Sequence, residues 1–243
     1  MHKDLAIKIR GLRSAETLDC ALAAGADMVG FVFFPPSPRH VDLALAQQLG
    51  ARTAGRAVKV ALSVDADDDW LTAIVARLRP DMLQLHGKET PQRVADIKAR
   101  FRLPVMKAIA VESGDDLACV PAYAAVADRL IFDARAPRDA TRPGGLGRPF
   151  DWRLLKNLDP RVPFMLSGGL NRDNVAEAIA ITGARGVDVS SGVERAPGEK
   201  DPGLIRGFIQ AARAHTLTLS AVTLSTPALS ARGGNGVDAG RGG

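Results

Sequence analysis

Cysteine is nearly absent from this sequence, and the two that occur, Cys20 and Cys119, are far apart in the chain and belong to no CxxC pair or Cys/His cluster. That pattern excludes a disulfide framework and a zinc site, and makes a reducing cytoplasm the expected compartment. Aromatic residues are also scarce, at 5% of the chain. No apolar run approaches the roughly 20 residues that a membrane span needs, and the N-terminus lacks the basic-then-apolar order of a secretion signal. A block of basic residues is missing too. The formal charge is +5, but Lys and Arg are scattered among Asp and Glu without aromatic interleaving, so neither nucleic acid nor a membrane is an expected partner.

What the chain has instead is an apolar share of 46% drawn mostly from Val, Ile, Leu and Ala, the material of parallel strands and their covering helices. Its 243 residues suit one α/β domain. Short apolar runs centred on Leu5–Ile9, Met28–Phe33, Ala57–Ser63, Met82–Leu85, Val105–Ile109, Arg129–Phe132, Phe164–Leu166 and Val187–Val189 alternate with segments of helical period. Most are nearly continuous rather than alternating, as strands covered on both faces require. Helix-start residues follow them, with Ser14, Asp67–Asp69 and Asn171 each preceding a helical stretch. Eight such units predict a single (β/α)8 barrel over residues 1–215. The rival, an open doubly wound sheet, usually carries a GxGxxG turn after its first strand, and none is present.

Two regions break the repeat. Ala134 to Pro149 is crowded with Gly, Pro and Arg where a sixth helix belongs, and predicts a long loop, with a lid as its functional reading. Residues 216–243 are Thr/Ser/Ala-rich and then Gly-rich, and predict a disordered tail.

Residues just after barrel strands converge on one mouth. Here those positions hold Arg10, Ser37-Pro38-Arg39, Asp65, His86, Asp133, Ser167-Gly168-Gly169 and Ser190-Ser191-Gly192. Glycine amides and serine hydroxyls at two adjacent exits make an anion cradle, so a phosphorylated small molecule is the expected ligand at Gly168, Gly169, Ser190, Ser191 and Gly192. His86 reads equally as a proton carrier and as a packed, hydrogen-bonded histidine behind the site, and Asp188 as an orienting carboxylate or a member of a barrel layer.

The run IKIRGLRSAETLDCALAAGADMVGFVFFPPSPRHV, then DMLQLHG, LIFDA, GGLGRPFDW, LSGGLNRDNVAEAI, DVSSGVE and GEKD, resembles phosphoribosylanthranilate isomerase from about Leu5 to Ala212. The SPR-x-V and GG-x-G-x-x-FDW segments are the specific ones; SGG and SSG are shared with other phosphate-binding barrels. The resemblance implies an Amadori rearrangement of N-(5′-phosphoribosyl)anthranilate in tryptophan biosynthesis, no cofactor, and a monomer or homodimer. It implies Asp133 as general acid toward the furanose ring oxygen and Arg39 as the clamp for the anthranilate carboxylate. It also implies a general-base cysteine at position 10, where this chain has arginine in Lys8-Ile9-Arg10-Gly11. Cys20 and Cys119, assigned to the first and fifth helices, do not replace it. Leu146 stands where that loop usually has threonine. Three readings follow: an isomerase that recruits another base, a phosphate-binding barrel with impaired catalysis, or another phosphosugar barrel enzyme. The metal-ligand histidines of an epimerase and the lysine set of an indole-glycerol-phosphate synthase are not evident.

Overall fold

The computed structural model describes residues 5–135, 149–156, 158–159 and 161–224, and the side chains among them up to Ala214. Eight parallel strands close in sequence order: β1 (Ala6–Arg10), β2 (Met28–Phe33), β3 (Val58–Ser63), β4 (Met82–Leu85), β5 (Val105–Val111), β6 (Arg129–Ala134), β7 (Phe164–Leu166) and β8 (Gly186–Val189). Every expected strand is present, and β5 and β6 run two residues further toward the mouth than their apolar runs indicated. Outside them lie α1 (Ala15–Ala23), α2 (Leu43–Thr53), α3 (Asp68–Leu78), α4 (Pro91–Phe101), α5 (Val120–Ala124), α6 (Val175–Thr182) and α7 (Pro202–Leu224).

The helix starts are built from short polar side chains. Ser14 accepts from the amide of Thr17, and Asp67 from that of Trp70, each relieving one of the orphan N–H groups of a first turn. Asn171 instead organises a turn, its Oδ1 accepting from the amides of Asp173 and Asn174, and α6 begins only at Val175. Cys20 lies in α1 as expected, whereas Cys119 ends a short 3-10 helix (Gly114–Cys119) ahead of α5.

Strand alternation sorts the core into two clusters. One side of each strand packs on the helices through residues such as Ile7, Ile9, Phe31, Leu83 and Val187. The other fills the lower barrel, where Met28, Val60, Met82, Met106, Ile131 and Met165 form a separate cluster. Above this methionine-rich, adaptable floor the inward positions turn polar, and the site begins there.

The expected tail requires a correction. Helix α7 continues through Leu224, into the segment 216–243 that composition assigned to disorder. No glycine or proline interrupts the chain between Gly207 and Pro227, so the backbone has no reason to leave the helix earlier. Residues 225–243 lie outside the described residues, as do 136–148 of the expected loop, Leu146 among them. No helix among the described residues is long and apolar enough to cross a membrane.

Candidate active site

Three strands place three ionisable groups at the mouth. Arg10 ends β1, Asp133 lies near the end of β6, and His86 follows β4. Although 123 residues separate them in sequence, Arg10 Nη2 donates to Asp133 Oδ2 at 3.2 Å. The same nitrogen donates to Ser167 Oγ at 3.2 Å, while Arg10 Nε lies 2.9 Å from Asp188 Oδ2. Ser167 Oγ in turn donates to Asp188 Oδ2 at 3.0 Å. One guanidinium therefore bridges both carboxylates of the mouth.

A second network rises from below with a fixed polarity. Lys8 Nζ, fully buried and 3.0 Å from Asp188 Oδ1, donates to Gln84 Oε1. An ammonium has only donors, so the amide must present oxygen to Lys8 and nitrogen to its other neighbour. Gln84 Nε2 is 3.0 Å from His86 Nδ1, which must accept. The ring proton is thereby left on Nε2, 3.1 Å from Asp133 Oδ2, where it donates. Burial lowers the pKa of His86, and its hydrogen bond to Asp133 opposes that without reversing it. His86 is thus a neutral donor with both nitrogens engaged, and the structure does not support the proton-carrier reading.

These contacts set the state of Asp133. Burial on its own pushes the carboxyl up, but the Arg10 charge and the His86 hydrogen bond outweigh it and hold the pKa at about 2. Asp188 is treated likewise: burial raises it, and Lys8 and Arg10 together bring it below the ordinary range. Both are carboxylates at neutral pH.

Beside the ion cluster is a small recess. Val32, Phe34, Leu62 and Val64 form its apolar walls, and Arg10, Ser37, Arg39 and His86 its polar rim. Arg39 is therefore in the mouth, but its fork is not empty. Nε and Nη2 donate to Glu194 Oε1 and Oε2 at 2.7 and 2.6 Å.

Opposite, the turns after β7 and β8 meet. Gly168 and Gly169 have φ of +88° and +67°, and a Cβ on Gly168 would stand 2.5 Å from the Ala134 nitrogen. A Cβ on Gly192 would stand 1.9 Å from the Leu170 carbonyl oxygen, so only glycine lets the two turns approach this closely. Ser191 opens a one-turn 3-10 helix (Ser191–Val193) just after β8. Ser190 is turned the other way, its Oγ within 3.3 Å of the Arg10 carbonyl and 3.2 Å of Lys200 Nζ, so its hydroxyl is not a cradle donor.

An acid-bearing mouth, an apolar recess with an arginine on its rim, and a paired glycine cradle occur together in this fold, and comparison with known proteins decides between the phosphate-binding barrels. The family model described as N-(5′-phosphoribosyl)anthranilate (PRA) isomerase matches residues 7–211. The chain belongs to the PRA isomerase family. The curated N-(5′-phosphoribosyl)anthranilate isomerase of Nitrobacter winogradskyi is 66% identical over 92% of this chain and 99% of its own length. Among solved structures, the enzyme from Thermotoga maritima is 31% identical, covers 86% of this chain and 99% of its own, and superposes with a TM-score of 0.77. A phosphoribosyl anthranilate isomerase in complex with reduced 1-(o-carboxyphenylamino)-1-deoxyribulose 5-phosphate is 30% identical, with the same coverages and a TM-score of 0.75.

Within this PRA isomerase barrel, sequence reasoning brought Arg10, Arg39, His86 and Asp133 to one mouth and missed four residues that govern them. Lys8 and Gln84 are each two positions before a chosen residue on the same strand, so period-two alternation alone put them on the same inner face. Glu194 and Lys200 lay inside quoted motifs but were given no task.

Proposed function

We propose that this chain binds N-(5′-phosphoribosyl)anthranilate and catalyses its rearrangement to 1-(2-carboxyphenylamino)-1-deoxyribulose 5-phosphate, at a rate held down by Arg10. The observation that carries this is the position of Asp133, between the apolar recess and the glycine cradle, with Arg10 bonded to it. In this reading the aryl ring lies against the apolar walls of Val32, Phe34, Leu62 and Val64. Its carboxylate meets the Arg39 guanidinium, and the phosphate takes the amides of Gly168, Gly169, Ser191 and Gly192. The ribose then spans the mouth above Asp133.

The chemistry requires an acid and a base. Asp133 gives its proton to the ring oxygen, the bond from that oxygen to C1′ breaks, and the anilino nitrogen's lone pair forms the Schiff base. A base then takes the C2′ proton, and the resulting enolamine rearranges to the C2′ ketone. Arginine has no acceptor and stays protonated, so Arg10 cannot be that base. His86 offers no substitute, because Gln84 occupies the lone pair on Nδ1.

Ligand binding is expected to survive. Titration with inorganic phosphate should shift amide resonances of Gly168, Gly169 and Gly192, and at a hundred times its dissociation constant stabilise the fold by about 2.7 kcal/mol. Unmoved amides together with an unmoved thermal midpoint would place the phosphate elsewhere. Arg39→Ala should weaken the reduced carboxyphenylamino product analogue by at least about tenfold, the worth of a charge-assisted contact, and leave ribose 5-phosphate nearly unaffected. Equal losses for both ligands would remove Arg39 from carboxylate recognition.

A further inference from the structure

The hairpin after β8 is the least expected piece of the barrel. Its strands, β9 (Glu194–Ala196) and β10 (Glu199–Lys200), pair antiparallel ahead of α7. Its turn presses on the loop that carries Arg39, and a Cβ on Gly198 would lie 2.4 Å from the Pro38 carbonyl oxygen. From the other side Gly11, at φ +80°, gives room to the Arg39 stem, whose Cδ would be 2.8 Å from a Cβ there. The stem of Arg39 is enclosed and its head is held by Glu194.

A guanidinium has two forks: the side-on pair Nε and Nη2, and the end-on pair Nη1 and Nη2. Glu194 takes the side-on fork with both oxygens. Lys200 Nζ lies 2.6 Å from Glu194 Oε1 and donates to the Ser190 carbonyl at 2.9 Å, tying the carboxylate to the end of β8. Glu194 and Lys200 are almost fully buried, with side chains 4% and 2% exposed. The buried carboxylate is thus held between Lys200 and the rim arginine. Its effect is to neutralise one edge of Arg39 and leave only the end-on edge for a ligand.

We propose that Glu194 and Lys200 are positioning residues that fix Arg39 so that its end-on fork receives the ligand's carboxylate. This rests on the reading of Arg39 as the carboxylate clamp. Burial drives the Lys200 ammonium down to about 7 against the pull of Glu194, so its grip on the carboxylate is strongest below that pH and weakens above it.

The test measures binding, so it is independent of the turnover of this chain. Dissociation constants are compared for two probes, the reduced carboxyphenylamino deoxyribulose phosphate and its phenylamino counterpart lacking the carboxylate. Glu194→Gln keeps shape and removes charge, and should cost at least about tenfold on the first probe only, as expected for a hydrogen bond to a charged group. Lys200→Met should act in the same direction, and provides the test if the glutamine variant folds poorly. Equal losses on both probes would make the hairpin merely structural, and no loss on either would overturn the proposal. If the unaltered chain does not distinguish the two probes, the clamp reading itself fails and the proposal with it; a parent that distinguishes them beside unaffected variants condemns the positioning role alone.

Discussion

Replacing Arg10 with cysteine should raise the catalytic constant at least about 10²-fold, and up to about 10⁴-fold, the usual range for restoring a general base. Two effects act together. The thiolate supplies the acceptor that the guanidinium lacks. Removing the cation at 3.2 Å from Asp133 Oδ2 also releases the acid. With its pKa held at about 2, Asp133 is almost wholly ionised at pH 7, and each further pH unit lowers the protonated fraction tenfold. Without Arg10, burial, the largest influence on this carboxyl, is opposed chiefly by the His86 hydrogen bond, and the pKa rises. The cysteine variant should therefore show a bell-shaped profile between pH 5 and 9 whose descending limb lies well above the range in which the parent's Asp133 titrates. Arg10→Ala separates the two effects, since it frees the acid without supplying a base and should recover only part of the gain. If the parent and the cysteine variant turn over at comparable rates across that range, the base is elsewhere and the assignment of position 10 is wrong.

Removing Asp188 should damage the fold more than any other single change at the mouth. Its side chain is fully buried and is the ion-pair partner of both Lys8 and Arg10. Asp188→Ala leaves two cations facing each other across the barrel interior with only Asp133 nearby. Orphaning a buried pair costs about 3–5 kcal/mol, which for a domain of this size is on the order of 10 °C in the melting midpoint. The double variant Lys8→Met with Asp188→Leu should recover much of the loss, because apolar side chains of similar volume carry no desolvation penalty. A melting midpoint within about 2 °C of the parent for Asp188→Ala would show that water or local rearrangement compensates the cations. The pH dependence has a definite sign. Asp133 and Asp188 are both depressed in the folded state, so their stabilisation is complete above the unfolded carboxylate pKa near 4 and is lost as pH falls through their folded values, for Asp133 toward about 2.

The strands were readable because parallel strands covered on both faces carry near-continuous apolar runs, interrupted here by residues such as Lys8, Gln84, Lys107 and Asp188. The mouth was readable because strand-exit positions converge whatever their sequence separation. Partner choice was not. Nothing local in Ser37-Pro38-Arg39 announces that Glu194, 155 residues on, fills its side-on fork, and nothing in Gln84-Leu85-His86 gives the ring's tautomer until Lys8 is seen to donate to Gln84. Composition misjudged 216–224 because Thr and Ser content lowers helix propensity without forbidding a helix that is already nucleated. The apolar run Leu130-Ile131-Phe132 ahead of Asp133 points to a raised carboxyl, and burial does push that way. The Arg10 guanidinium, 3.2 Å from Asp133 Oδ2, reverses the sign, and that contact is set by the fold rather than by local sequence.

The barrel is sealed by the pairing of β1 with β8, in which Lys8 is registered against Asp188. These are the first and last of the eight strands to leave the ribosome. A nascent chain thus holds an ammonium on its earliest strand whose carboxylate partner arrives only with the latest, after nearly every intervening unit has been made. A partial barrel that packed Lys8 inward would have no Asp188 to meet it. Sealing the seam is therefore what makes every earlier strand worth keeping, and half-barrel fragments of this chain should be poor at persisting alone, whatever the quality of their apolar packing.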